Sequence, residues 1–263
     1  MRSTLSQIFN PFGKVNKIYF GAICIFWVGF ALVVWSMAPE LLPGPKSVFS
    51  ALMTFLTSKD FYRDLLQSLG VTMKAMLYSI GIACILAYLS TIQFFKPIAA
   101  FLIKLRYMSL IGLIFTFTLI LSGAAQVKLS LLMFGIVPFF VLSLLTAIDK
   151  VEQKEYELCQ TLKYTPWQML YELVIWGRAD YTIETIRANF AMAWLMITMV
   201  ESFSMSAGGI GVQLFRANKL NHLDQIFALQ FVIFGLGVLF DYTLQQMRYG
   251  LFPHVRYAEL KKN

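Results

Sequence analysis

The sequence is poor in the residues on which most enzymes rely. Only 14% of its 263 residues are charged, and it has two histidines and three cysteines. His222 and His254 both lie outside the long apolar runs, and no GxSxG or HExxH is present. The sequence therefore predicts no catalytic site and no metal site. The cysteines are far apart, which favours small apolar side chains over disulfides.

A phosphate-binding motif is also absent from the sequence. No GxxxxGK(S/T) occurs, and the glycine-rich stretch at 206–211 lacks the lysine. We therefore expect no cofactor on this chain, and any ATP must be bound by another chain. The net charge of +8 does not predict nucleic-acid binding, because the basic residues are spread over short segments between apolar runs.

Apolar residues make up 58% of the chain, above the roughly 45–50% that is typical of soluble domains. The sequence therefore predicts an all-α integral membrane protein, with one transmembrane domain over residues 1–263. A membrane-spanning helix needs about 20 mainly apolar residues. Six stretches come near that length: 18–37, 69–91, 107–121, 129–147, 186–205 and 226–244. The third could also begin near Pro97, because Lys104 and Arg106 can extend toward the membrane surface.

The distribution of basic residues predicts the orientation. With the N-terminus inside, the cytoplasmic side carries about twice as many Lys and Arg residues as the other side. Residues 1–17 and 245–263 are then cytoplasmic, and residues 206–224 form an outer loop. Residues 41–58 begin with Pro and Gly and continue with an amphipathic pattern. This pattern indicates a helix that lies along the extracytoplasmic face of the membrane. The first apolar run is longer than a signal-peptide core, so we expect a retained anchor.

Residues 149–184, called the polar segment below, interrupt the apolar spans with charged and amide side chains. Within the polar segment, Leu158, Cys159 and Leu162 have the spacing of one apolar helix stripe. The predicted orientation places this segment in the cytoplasm, between the fourth and fifth spans.

A second short helix is predicted in the same segment. Thr165, Pro166 and Gln168 supply an N-cap, a first-turn proline and a capping-box partner. Gly177 is expected to end this helix. Its apolar face is predicted to comprise Trp167, Leu170, Leu173 and Val174. Two short helices joined by a turn are typical of a surface that docks a partner.

The polar segment resembles the coupling-loop signature of permease subunits of bacterial ABC importers. In that signature a glutamate and two small residues are followed, six positions after the glutamate, by a glycine. The residues that match this signature are Glu157, Leu158, Cys159, Thr161 and Leu162. Trp167 and Gln168 resemble the residues found at these positions in the sulfonate, taurine and nitrate branch of the family. Lys163 replaces the family's glycine, so the loop either bends differently or tolerates backbone strain. Trp176 replaces a later proline.

The resemblance extends over about residues 41–253. LLPGPKSV at 41–48 resembles the family's outer segment, and four later motifs follow the branch's order: Ala193 with Trp194, Val200 with Glu201, GGIG at 208–211, and LGVLFD ending at Asp241. The prolines that are common in the branch's third span are absent here.

The resemblance implies a permease of six spans that pairs with a second copy or a paralogue in the bacterial plasma (inner) membrane. ATP-binding cassette subunits, which carry ATP and Mg²⁺, would dock beneath it, and an extracytoplasmic solute-binding protein would dock above. ATP-driven closure would rock the spans in an alternating-access cycle. The residues implied in ATPase coupling are Glu157, Leu158, Cys159, Thr161, Lys163, Thr165, Trp167 and Gln168. Trp167 is expected either to insert into the ATPase or to anchor the helix at the lipid interface.

A second set of residues is expected on the translocation path or at its gate: Lys74, Trp194, Glu201, Gly208, Gly209 and Gly211. Ionisable groups at membrane depth are costly when they face lipid, so they should face the protein interior or water. Glu201 is expected either to hydrogen-bond a neighbouring helix or to contact the solute. The glycines are expected to form a re-entrant turn or a plain interhelical turn.

Two other classes of function stay open. An ATP-independent secondary transporter or channel predicts an internal inverted repeat or rings of pore residues, which the sequence does not show. A membrane scaffold could use the polar segment to recruit a different partner. For a transporter, the solute is expected to be small and polar or anionic. Four basic residues on the outer side would attract an anion, and they would equally suit acidic patches on a solute-binding protein. These are Lys74, Lys128, Arg216 and Lys219.

Overall fold

The computed structural model describes residues 17–37, 42–204 and 208–253. These parts of the chain are helical and contain no β-strand. The α-helices, in order, are α1 (Lys17–Ser36), α2 (Pro45–Thr57), α3 (Lys59–Leu89), α4 (Lys96–Lys104), α5 (Leu110–Ile120), α6 (Ala124–Asp149), α7 (Gln153–Thr161), α8 (Pro166–Met169), α9 (Ala179–Phe203), α10 (Ile210–Lys219) and α11 (Leu223–Leu251). A 3-10 turn over Leu105–Tyr107 follows α4, and a π-helical turn over Leu170–Trp176 follows α8.

Five of these helices are long and apolar enough to cross a membrane: α1, α3, α6, α9 and α11. They overlap the first, second, fourth, fifth and sixth predicted spans, and four of the five are longer than expected. The helix predicted within 41–58 is present as α2, and its place on the outer side stays a prediction. The chain is thus a multi-pass, all-helical membrane protein.

The third predicted span, over 107–121, is not confirmed as a crossing of its own, because only Leu110–Ile120 within it is α-helical. The 3-10 turn is followed by extended backbone at Met108 and Ser109, and the helices on either side are bent by 108°. α5 has 11 residues and is therefore about 16 Å long, roughly half of the apolar core of a bilayer. A sixth crossing exists only if this bent pair counts as one span.

The core is built around α6, which packs against α3 on one side and α9 on another. α3 buries a stripe of small side chains: Ser68, Thr72, Ala75, Ser79, Ala83 and Ala87. Small residues allow helix backbones to approach closely, which favours association inside a membrane, where burial of apolar surface gives little driving force. From α6, the large side chains of Leu132, Ile136 and Phe140 complete the core.

The first helix is attached mainly at its end. Trp35 donates a hydrogen bond from Nε1 to the carbonyl oxygen of Pro43 at 3.1 Å, and its ring packs against Phe227 and Phe231 of α11. The apolar part of α1 from Tyr19 to Ser36 is otherwise unburied by the rest of the chain, as expected for a helix surrounded by lipid.

The α3 stripe provides a test of the packing. Ala83 is fully buried, so Ala83→Leu should force α3 and α6 apart and destabilise the protein by about 1–3 kcal/mol. Thermal unfolding in detergent should show a lower Tm for this variant. Ile85→Leu, at a position that is 61% exposed, is the matched control and should leave the Tm unchanged. Equal Tm values for both variants would contradict the proposed packing.

Candidate functional site

The predicted second helix of the polar segment begins as expected. Thr165 accepts a hydrogen bond from the backbone N–H of Gln168, and the Gln168 side chain accepts one from the backbone N–H of Thr165 at 2.8 Å. This capping box, with Pro166 in the first turn, pairs N–H groups that the start of a helix leaves free. The prediction from the spacing of these residues is confirmed.

The turn between the two helices shows how Lys163 replaces glycine. Lys163 has φ 57, in the left-handed region. Its N–H donates to Gln160 O at 2.9 Å, and the N–H of Tyr164 donates to Cys159 O at 3.1 Å, which together make a Schellman motif. The sequence left two alternatives, a loop that bends differently or a loop that tolerates backbone strain. The left-handed φ of Lys163 shows that it tolerates the strain. The left-handed conformation costs a non-glycine residue about 1 kcal/mol or more.

The predicted apolar stripe of the first helix is only partly buried. Cys159 is buried, whereas Leu158 and Leu162 are 61% and 56% exposed. Trp167 is 67% exposed. The remaining coupling residues predicted from the sequence are exposed as well: Glu157, Thr161, Lys163, Thr165 and Gln168. Exposed large apolar side chains beside polar ones are typical of a surface that binds another protein.

Gly177 lies at the end of the helical segment, as predicted, where it is the C-cap residue after Leu170–Trp176. It ends the helix without the left-handed conformation of the common glycine stop, since its φ is −63. Its N–H instead donates to Glu172 O at 2.9 Å and closes the π-helical turn. A Cβ at this position would lie 2.6 Å from Leu173 O, which explains the need for glycine. Trp176, at the family's proline position, lies in the same turn and packs edge-on against Tyr171.

Arg178 fixes the polar segment to the transmembrane helices. Its Nη2 donates to Glu155 of α7 at 2.7 Å and to the carbonyl oxygen of Lys150 at 3.3 Å. Its guanidinium also lies over the Tyr181 ring. Because Arg178 directly precedes α9, these contacts join the end of α6, the helix α7 and the start of α9.

Two further ion pairs tie the start of α9 to the last helix. Arg248 of α11 contacts Glu184 at 2.8 Å, and Arg187 contacts Asp241 of α11 at 3.1 Å. A displacement of the polar segment would thus be passed to α9 and α11.

A groove lies beside the exposed Trp167. It has a volume of about 460 Å³ and runs between the π-helical turn and the end of α3. Its walls include Ile92, Tyr156, Trp167 and Leu170, so it is mostly apolar.

The opposite end of α9 holds a buried carboxylate. Glu201 has 0% exposure and accepts hydrogen bonds from Ser68 Oγ of α3 at 2.8 Å and from the N–H of Gly211 at 2.9 Å. Ser68 in turn accepts a hydrogen bond from the N–H of Ile210 at 2.9 Å. The expected hydrogen bond between Glu201 and a neighbouring helix is present. These residues, with Gly208 and Gly209, are called the glutamate cluster below.

The glycines of the cluster are required by its geometry. Gly208 has φ 65 and Gly209 has φ 118. A Cβ at Gly209 would overlap the carboxylate of Glu201, and one at Gly208 would lie 3.1 Å from Asp64. The chain then enters the protein, since Ile210 is fully buried. The loop is therefore more than a surface turn between helices.

Lys128 was expected to attract an anion from the outer side, and its position contradicts this expectation. Its side chain is only 1% exposed, and its Nζ donates to the carbonyl oxygen of Gly208. Lys128 therefore holds the glycine loop and is unavailable at the surface.

Two predicted path residues take no part in the glutamate cluster. Trp194 is buried and donates from Nε1 to Ile233 O at 2.9 Å, which packs α9 against α11. Lys74 is exposed near the middle of α3. Their place on a translocation path stays a prediction, as does that of the cluster.

The sequence prediction missed α10, which lies within the expected outer loop. Ile210, Leu214 and Ala217 have helical spacing and could have indicated it. Ser68 was also missed, because a single serine in an apolar run gives no signal by itself.

Comparison with known proteins places this geometry in a fold class. No family model and no curated protein sequence matches the chain. Solved structures do match. An inward-facing MetNI methionine ABC transporter aligns with a TM-score of 0.62 and 13% identity, over 72% of this chain and 94% of that one. A bacterial ABC transporter involved in import of the acidic polysaccharide alginate aligns with a TM-score of 0.60 and 15% identity, over 90% and 100%.

A third match is an amino acid ABC transporter, with a TM-score of 0.59 and 16% identity over 74% of this chain and 93% of that one. At these identities the likeness establishes the fold. The chain is a helical membrane protein, and its fold is that of ABC importer permeases.

The strained turn at Lys163 can be tested directly. Lys163→Gly should relieve the left-handed strain and stabilise the protein by about 1 kcal/mol, seen as a higher Tm in detergent. Asn221, with φ 56, is the matched control, and Asn221→Gly should gain less because Asn tolerates this conformation. A lower Tm for Lys163→Gly would contradict the assigned turn.

The glutamate cluster gives a second test. Gly209→Ala should destabilise the protein by more than about 2 kcal/mol, because it combines a forbidden backbone conformation with overlap on Glu201. Gly235→Ala, in open space on α11, is the control and should leave the Tm unchanged or slightly higher. If Gly209→Ala melts like the wild type, the loop does not pack on the carboxylate.

Proposed function

We propose that this chain is the permease subunit of a bacterial ABC importer of the inner membrane, and that the polar segment is its coupling element. The observation that carries the proposal is the pairing of an exposed apolar and polar surface around Trp167 with a rigid attachment at Arg178. The importer permease fold supports it. The chain itself would bind no nucleotide, and ATP and Mg²⁺ would lie on a separate ATPase subunit.

The attachment suggests how ATP hydrolysis would drive transport. A partner that moves the polar segment pulls on Arg178 through Glu155, and Arg178 directly precedes α9. α9 runs on to Glu201, about 25 Å from Glu184 along the helix axis. Because α9 is a continuous helix, displacement at one end reaches the glutamate cluster at the other. Alternating access would follow from this coupling, with the glycine loop as the outer gate.

The proposed assembly has three kinds of partner besides membrane lipid. A second permease copy or paralogue would complete the path, and an ATPase subunit would dock under each permease. A solute-binding protein would dock on the outer side. The alginate transporter that shares this fold has been solved in complex with a solute-bound periplasmic protein, which supports such a partner here. Both termini would be cytoplasmic.

The solute is proposed to be small and polar or anionic. The sequence motifs resemble the sulfonate, taurine and nitrate branch, and Lys74, Arg216 and Lys219 are exposed. Lys128 is buried, but these three exposed residues can still attract an anion by long-range electrostatics.

The proposal is tested by substitutions on the exposed surface. Trp167→Ala should weaken ATPase binding by roughly 30-fold or more, because a central tryptophan contributes about 2 kcal/mol or more at an interface. Glu157→Arg should also uncouple ATP hydrolysis from uptake. Both variants should insert into the membrane normally. The measurements are the ATPase subunit retained on purification and the receptor-stimulated rate of ATP hydrolysis.

Trp27→Ala is the matched control, since Trp27 is equally exposed but lies on α1. It should retain the ATPase. Normal retention and stimulated hydrolysis in both Trp167→Ala and Glu157→Arg would remove the docking role.

A further inference from the structure

The bend before α5 carries basic residues without acidic partners. We call residues 93–107, which include α4 and the 3-10 turn, the elbow. Lys96 and Lys104 are exposed and Arg106 is half-buried. Within the described parts of the chain no ion pair involves any of the three. The sequence contains no Asp or Glu between residues 65 and 148, so no acidic group is near them in the chain.

Arg106 also has an unpaired hydrogen-bond donor. Its Nη2 donates to the Tyr107 hydroxyl at 2.8 Å, but its Nε is buried and has no partner among the described residues. Buried donors are almost always paired, and guanidinium groups pair best with carboxylate or phosphate oxygens. No carboxylate pairs with the half-buried Arg106 among the described residues, so its guanidinium is suited to bind an external anion through the N–H groups other than Nε.

The elbow also presents an apolar stripe. Ile98 and Phe101 follow helical spacing on α4 and are 45% and 64% exposed, and Phe94, just before the helix, is 76% exposed. Another side of α4 packs Ala99 into the core. A short helix with a packed side, an exposed apolar stripe and exposed basic residues is typical of a membrane interface.

The position of the elbow favours a lipid over a cytosolic protein as the source of the anion. Leu110, at the start of α5, lies beside Gly135, since a Cβ on Gly135 would meet its side chain at 3.2 Å. Gly135 is about 21 Å along α6 from Asp149. Arg106 is four residues before Leu110 and can lie at most about 14 Å below it. Its backbone therefore lies level with α6 and not below the end of that helix.

A lipid phosphate can reach this level. α5 is about 16 Å long, and a bilayer accommodates a short apolar segment by thinning around it. Long Arg and Lys side chains also extend toward the headgroups. The thinned inner leaflet would bring a phosphate to Arg106 while its acyl chains cover Phe94, Ile98 and Phe101.

We propose that the elbow is a binding site for an anionic phospholipid of the inner leaflet, with Arg106 and Lys104 as the residues that contact its phosphate. This site is independent of the ATPase docking proposed above. Among the described residues, no ion pair joins Lys104 or Arg106 to the polar segment or to the glutamate cluster.

The test uses the full chain in detergent micelles that contain equal amounts of phosphatidylglycerol and phosphatidylcholine. Native mass spectrometry of the wild-type protein should show preferential retention of phosphatidylglycerol. The double variant Lys104→Gln/Arg106→Gln should bind it more weakly, by roughly fivefold for each charge removed. Lys59→Gln/Arg63→Gln, at the exposed start of α3, is the control and should retain it.

Several outcomes would overturn the site. Equal phosphatidylglycerol retention by the elbow variant and the wild type would do so. A Tyr107→Cys variant that reacts with an impermeant maleimide as fast as a free thiol would show that the elbow faces water. A Tyr107→Cys disulfide between two copies would show that it faces a second permease. If the double variant does not fold, the wild-type protein is measured at increasing KCl concentration. Added salt should weaken a contact between phosphate and these basic residues, so phosphatidylglycerol retention that does not change with KCl would contradict the site.

Discussion

The structure depends on the satisfaction of polar groups at membrane depth. Glu201 is fully buried, and its hydrogen bonds come from Ser68 on α3 and from the backbone of Gly211. An unpaired carboxylate there would be very costly, because neither lipid nor protein core can replace its hydration. The loop, α3 and α9 are therefore held in one arrangement. The glycines follow from the same constraint, because a side chain at Gly209 would displace the carboxylate.

The same helix carries polar contacts at its other end. Arg178, at the start of α9, binds Glu155 in the polar segment, and Glu184 binds Arg248 of α11. α9 thus connects the exposed surface around Trp167, which we propose as the docking surface, with the buried glutamate cluster. Beyond Arg187, which pairs with Asp241 of α11, the middle of α9 makes few polar side-chain contacts: Asn189 Nδ2 donates to Ser143 Oγ at 3.5 Å, and Trp194 donates to a backbone oxygen. This separation is suited to a part that transmits movement without carrying chemistry.

Much of this arrangement could be predicted from the sequence. Long apolar runs predict spanning helices because membrane thickness fixes their length, and the capping pattern around Thr165 acts within four residues. The bend after Tyr107 could not be predicted, since apolar composition alone does not show where a helix breaks. The exposure of Leu158 and Leu162 depends on which neighbours they meet. Likewise, the partnership of Glu201 with Ser68 joins residues far apart in the chain, and no local pattern reports it.

The central claim is that the surface around Trp167 binds an ATPase. The most direct measurement places a photo-crosslinking amino acid at position 167 and irradiates intact cells, followed by identification of the adduct and of its nucleotide binding. The account predicts one main adduct with a subunit that carries a phosphate-binding loop and is labelled by an azido-ATP analogue. Adducts with lipid alone, or with a protein that binds no nucleotide, would contradict it.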